Sequence, residues 1–202
     1  MHESHPMVFL LDDEEPVLTA LARMLRGAGF VTRSWTSAEE FLAAHEGETP
    51  GCLVSDIRMP GIDGLELQRV LQARGIERPI VFITGLPDIR VAVRAMKAGA
   101  VTYLAKPVQR TELIAAVHEA ISQDAARRAR GRERHELARR LASLTPRERE
   151  VLGLLASGML NKQIAAELGA AEKTIKVHRG RIMEKMRVRT ATALVGLLSR
   201  TQ

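Results

Sequence analysis

Five times in its first 124 residues the chain passes from a short apolar run into a segment with helical spacing. The runs at 7–12, 31–35, 52–55, 80–84 and 101–104 are four to six residues long and rich in Val, Ile, Leu or Phe. Such runs suit strands buried on both faces. Between and after them, Val17, Leu18, Leu21 and Leu25 form one stripe, stopped by Gly27 and Gly29. Ser37 opens a capped helix with Glu40 at its third position. Leu65, Leu67, Val70 and Leu71 precede Gly75; Val91, Val93, Ala95 and Met96 precede Gly99; Leu113, Ile114, Val117 and Ile121 make the fifth stripe. Repeated strand-then-helix units require right-handed crossovers, hence a five-stranded parallel, doubly wound α/β domain. Its ligands should lie beyond the carboxyl ends of the strands.

After residue 140 the strand patterns stop. Helices are expected at 146–157, 161–168, 172–186 and 190–199, an all-α four-helix unit. Thr145-Pro146-Arg147-Glu148 is a start signal, with Thr as N-cap, Pro at the first helical position and Glu at the third. The pair 161–168 and 172–186, joined by Gly-Ala-Ala, has helix-turn-helix spacing. The expected division is therefore 1–124, a charged and helical linker at 125–140, and 141–202. The linker reads either as a solvated spacer or as a segment touching phosphates.

Charge separates the same two parts. Residues 1–124 hold 12 Lys and Arg against 17 Asp and Glu, a net of −5. Residues 125–202 hold 18 against 7, a net of +11, which points to a polyanionic partner for the second part alone. Cys52 is the only cysteine, which excludes a disulfide framework and a Cys-based zinc site. No apolar run approaches the roughly 18 residues that cross a bilayer, and the first apolar stretch is too short for a signal-peptide core. A cytoplasmic protein with no membrane partner is expected.

At the strand ends stand Asp12-Asp13, Asp56, Thr84 and Lys106-Pro107. Side chains far apart in sequence should converge at one sheet edge. Three carboxylates there would repel and raise each other's pKa unless a cation neutralises them. Their hard oxygens suit Mg²⁺. Asp56 can attack phosphorus as a carboxylate nucleophile, with Mg²⁺ and Lys106 stabilising the transferred oxygens and Thr84 donating a hydroxyl hydrogen bond. Pro107 makes the bond after Lys106 a candidate cis peptide that would aim the lysine.

FLLDDEE, LVSDIRMPGIDG, VFITG and YLAKP resemble the motifs of the receiver domain of two-component response regulators, a flavodoxin-like fold. The resemblance covers residues 5–124. It implies that Asp13, Asp56 and the main-chain carbonyl of Arg58 bind Mg²⁺, with Asp12 acting mainly through water. It makes Asp56 the phospho-acceptor, Thr84 and Lys106 the phosphate contacts, and Thr84 with Tyr103 a switch pair. It also implies a sensor histidine kinase as donor and a phosphorylation-driven homodimer, for which Val91, Ala95, Val108 and Ala116 are the expected contacts.

In the second part, Ile175, Ile182 and Met186 fall on one face of the 172–186 helix, suited to packing inward. Lys173, Thr174, Lys176, Val177 and Arg179 fall toward a DNA groove or flanking phosphates, with His178 and Arg181 beside them. LTPREREVLGLLASGMLNKQIAAELG followed by KTIKVHRGRIMEKM is similar to the output domain of LuxR/NarL-type regulators. Together the two parts resemble the FixJ subfamily, which implies double-stranded operator DNA and RNA polymerase as partners and the last helix as a dimer contact on DNA. Leu160 and Ala171 depart from the family's usual helix caps, and Gly180 lies inside a helix.

Two other functions remain to be separated from a phosphorylation-switched transcription factor. One is a DNA-binding regulator whose receiver is only structural, which the intact five-residue site argues against. The other is a phosphatase or haloacid-dehalogenase-like enzyme. Such enzymes generally carry a second acid two residues after the nucleophile, where this chain has Arg58, so no enzyme beyond self-phosphorylation and slow loss of its own phosphate is expected.

Overall fold

The computed structural model describes residues 5–44, 49–85 and 88–199. The first part alternates β1 (Met7–Leu11), α1 (Glu15–Arg26), β2 (Val31–Trp35), α2 (Ala38–Ala44), β3 (Gly51–Asp56), α3 (Gly64–Ala73), β4 (Ile80–Thr84), α4 (Ile89–Lys97), β5 (Thr102–Ala105) and α5 (Arg110–Ala142). All four strand pairings are parallel, in the order β2-β1-β3-β4-β5. This is the flavodoxin-like α/β sheet expected from the alternation.

Period two within the strands divides the core. Phe9, Leu11, Leu53 and Phe82 pack on one face with Trp35, Phe41, Leu67 and Leu71. Val8, Leu10, Val54, Val81 and Ile83 pack on the other with Leu18, Leu21, Leu25, Leu113 and Val117. Each such side chain contributes about 1.5–3 kcal/mol by leaving water, so both faces must be covered by helices. Exposed positions fall only on the two edge strands, most of them on β2 and one, Ala105, on β5. Among the scarce aromatics, Trp35 stacks on Phe9 at 5.8 Å and meets Phe41 edge-on.

Helix α4 departs from expectation. Of its four expected apolar residues only Ala95 is buried, while Val93 and Met96 are 46% and 45% exposed and Ile89 is 83% exposed. Spacings of two and one do not share a face of a helix, whereas Val91 and Ala95, four apart, do. Ala116 is likewise buried in the core. The expected dimer contacts Ala95 and Ala116 are therefore core residues, and the apolar surface of α4 is Ile89, Val93 and Met96.

The chain divides into two compact units within α5, Met1–Arg128 and Ala129–Gln202. The second contains the end of α5, then α6 (Pro146–Ala156), α7 (Asn161–Glu167), α8 (Glu172–Met186) and α9 (Ala191–Ser199). Its core gathers Leu137, Val151, Leu155, Ile164, Ile175, Ile182, Met186 and Leu194. Thr145 and Glu148 form the expected capping box at α6. At α7, Leu160 has no oxygen to offer, so only the reverse half exists, Gln163 Oε1 accepting from the Leu160 amide at 2.8 Å. Ala171 gives α8 no side-chain cap. Among the described residues, no helix is long and apolar enough to cross a membrane.

Candidate metal centre and nucleic-acid interface

Strands β1 and β3 are neighbours in register, Leu11 opposite Ser55, so the residues that follow them emerge side by side. Carboxylate oxygens of Asp12, Asp13 and Asp56 lie within 4.8 Å of one another. Asp12 and Asp56 are buried and Asp13 is exposed, giving the cluster one open side. Asp56 Oδ1 accepts from the amides of Ile57 at 2.6 Å and Arg58 at 3.2 Å, and Ser55 Oγ donates to the Asp56 carbonyl at 2.7 Å. The carboxylate is thus oriented by its own loop.

Lys106, just past β5, places Nζ 2.7 Å from both Asp12 Oδ2 and Asp56 Oδ2. Its bond to Pro107 is cis. Burial pushes the lysine pKa down, but the two carboxylates outweigh that and hold it above its ordinary value. Burial raises the Asp12 carboxyl, and neither Lys106 nor the Glu14 amide fully offsets this. One ammonium thus serves carboxylate oxygens of both buried aspartates. Three crowded carboxylates, two of them buried and sharing a single lysine, are the setting a hard divalent cation satisfies. The residues fit Mg²⁺.

Two neighbours shape the acceptor loop. Gly64, the first residue of α3, approaches the acceptor so closely that a Cβ there would sit 2.4 Å from the Asp56 carbonyl oxygen and 3.0 Å from Phe82. Glu39 of α2 reaches across to accept from the Ile62 amide at 3.2 Å, bracing the loop that carries Arg58. Gly51 opens β3 at φ +138, where a Cβ would meet the Met7 carbonyl. Gly64 closes the Asp56 motif and Gly51 opens a strand, so both carry a signal; a glutamate on a surface helix carries none.

Thr84 ends β4 and is 2% exposed. Tyr103 on β5 is half-buried against the first core layer, and its hydroxyl accepts from the Asp88 amide at 3.3 Å. Asp88 itself caps α4 by accepting from Arg90 N at 2.8 Å. The tyrosine thus touches the amino end of the helix whose apolar face is exposed.

In the helical unit, Ile175, Ile182 and Met186 are fully buried, which turns the opposite face of α8 outward. Lys173, Thr174, Lys176, Val177 and Arg181 are exposed on it. Lys173, Val177 and Arg181, four apart, form one row. His178 is half-buried, with Nδ1 enclosed and lacking a hydrogen bond. Arg179 is half-buried and donates from Nη1 to Asn161 Oδ1 at 3.1 Å, tying α8 to the start of α7. Five of the seven candidate DNA residues thus share an exposed face, and the other two lie partly within the packing.

Comparison with known proteins follows the two units. Residues 8–118 match the response regulator receiver domain model, and residues 142–198 match the model of bacterial regulatory proteins of the luxR family. Nodulation protein W of Bradyrhizobium diazoefficiens is 42% identical over 94% of this chain and 83% of its own length. The transcriptional regulatory protein FixJ of Azorhizobium caulinodans is 40% identical over 96% of this chain and 92% of its own. The solved structure of the response regulator StyR superposes with a TM-score of 0.90 at 45% identity, covering 97% of this chain and 99% of that one.

Proposed function

Because the chain belongs to the response regulators that join a receiver domain to a LuxR-type DNA-binding domain, we propose that this transcription regulator is switched by Mg²⁺-dependent phosphorylation of Asp56. The observation that carries the reading is the Asp56 carboxylate, held by two backbone amides, with Lys106 and two further carboxylates at the same sheet edge. Residues 1–124 serve as receiver, 125–140 as linker and 141–202 as DNA reader, in the cytoplasm.

A carboxylate oxygen of Asp56 attacks the phosphorus of a phosphohistidine on a sensor kinase. The P–N bond breaks, the imidazole nitrogen leaves with the bonding pair, and Asp56 ends as an aspartyl phosphate. The Ile57 and Arg58 amides keep the nucleophile aimed. Lys106 Nζ neutralises charge gathering on the phosphoryl oxygens. Asp13, Asp56 and the Arg58 carbonyl would hold Mg²⁺, with Asp12 acting mainly through water; when bound, the ion offsets the developing negative charge. An apolar groove lined by Pro16, Val17, Ala20, Met24, Pro107 and Val108 opens beside Lys106 and offers the kinase domain a seat.

The Thr84 hydroxyl then donates to a phosphoryl oxygen, and Tyr103 turns toward the space this vacates, giving up the Asp88 amide. That loosens the amino end of α4 and reshapes the surface bearing Ile89, Val93 and Met96, which a second copy covers. Two output units then present α8 to a two-fold operator, with α9 between them and RNA polymerase as the effector of transcription. The bare alternative, a phosphorylation-independent DNA binder, predicts no response to phosphodonor. Incubating the protein with Mg²⁺ and acetyl phosphate should add the mass of one phosphoryl group to wild type and none to Asp56→Asn. Equal labelling of both would overturn the assignment.

A further inference from the structure

Helix α5 carries Arg127, Arg128, Arg130, Arg132 and Arg134 where its two halves meet. The first two are committed: both contact Asp124, and Arg128 Nη2 also donates to the Thr49 carbonyl at 3.0 Å. Arg130, Arg132 and Arg134 are exposed and make no side-chain hydrogen bond or ion pair among the described residues. Nearby Glu136 is already shared by Arg139, Arg140 and Arg187. Arg130 and Arg134 are like charges four apart, a spacing that destabilises a helix. A polyanion lying along the helix would relieve that repulsion.

We infer that Arg130 and Arg134, four apart on one face of α5, form a second DNA-binding surface that grips backbone phosphates flanking the site read by α8. The inference rests on the DNA-reading role proposed above. Residues from Ala129 onward belong to the same compact unit as α8. Leu137 is buried in its core, and Arg140 Nη1 donates to the Met186 carbonyl at the end of α8, 3.2 Å away. At 1.5 Å per residue, Arg134 and Arg130 sit about 4.5 and 10 Å along the helix from Leu137. These charges therefore travel with the DNA-reading unit, within about a Debye length of where α5 docks on it. All cationic residues of 125–140 other than His135 are arginines, whose forked guanidinium matches phosphate oxygens in pairs. A phosphate grip adds affinity without reading bases.

The test uses full-length, phosphorylated protein and a duplex selected by wild type from random-sequence DNA, with a scrambled duplex of equal length beside it. Arg130→Gln and Arg134→Gln are combined, since glutamine keeps helix propensity. Salt-titrated anisotropy should show the double variant weakened by the same factor on both duplexes. The slope of log K against log salt should shrink by about 0.9 for each phosphate that the variant no longer neutralises. Trimming the flanks of the selected duplex should abolish the difference from wild type, and the melting temperature should not fall. An unchanged slope overturns the inference. So does tighter binding by the variant, which would place these arginines on the acidic receiver. If wild type selects no duplex, the DNA-reading role falls and this surface with it.

Discussion

Asp12 carries its charge at a cost to folding. Its carboxyl titrates above the ordinary value because burial outweighs its partners. For an acid, a folded pKa above the unfolded one means that ionisation opposes folding, and the penalty is fully present once pH exceeds the folded value. Asp12→Asn should therefore raise the melting temperature of the metal-free protein at neutral pH while abolishing the further rise that Mg²⁺ gives wild type. A lower melting temperature would contradict this. Gly64→Ala should lose about 1–3 kcal/mol by overpacking against the Asp56 carbonyl, read as a fall in the urea midpoint. Strand-end residues such as Asp12, Asp56 and Lys106 are legible in sequence because their types and order carry chemistry. Glu39 acts through an approach in space that residue order does not encode.

Among the elements, α5 is anchored by a buried node that no motif announces. Asp124, 2% exposed, accepts from the Gly51 amide at 2.9 Å and pairs with Arg127 and Arg128. Burial pushes its carboxyl up, but that amide and the two guanidiniums outweigh burial and hold it below its ordinary value. Its contribution to stability is thus complete above the unfolded pKa of about 3.9 and is lost as pH falls through the lower folded value. Asp124→Ala strands a charged cluster and should cost about 3–5 kcal/mol in denaturant unfolding at pH 7, with the gap to wild type closing in acid. A constant gap would exclude the linkage. Helix α8 has the opposite character, being under-optimised. Ala171→Ser restores a cap and Gly180→Ala, with open space around it, removes a flexible residue. Each should add about 1 kcal/mol to the helical unit, seen as a later unfolding transition. Both weaknesses are visible in sequence because caps and glycines act locally. The exposed face of α4 is not, because the number of apolar residues leaves their phase around the helix undecided.

Across the whole molecule, the net charge of +6 conceals two opposed parts, whose boundary at residue 124 falls four residues before that between the sheet and helical units. The acidic part contains the carboxylates that would hold Mg²⁺ and accept phosphate; the basic part is what DNA would meet. Parallel sheet and helix-turn-helix are readable because period two and period 3.6 alternate cleanly. That α5 runs unbroken from one unit into the other follows from a proline-free, charged stretch, but its clamp on Asp124 does not. The direct test of the switch is the affinity of full-length protein for a wild-type-selected duplex, measured with Mg²⁺ before and after acetyl phosphate, in wild type and Asp56→Asn. Phosphodonor should tighten binding by wild type and shift it to a dimer, leaving Asp56→Asn unchanged. Equal affinity with and without phosphodonor in wild type, or an equal gain in Asp56→Asn, would contradict it.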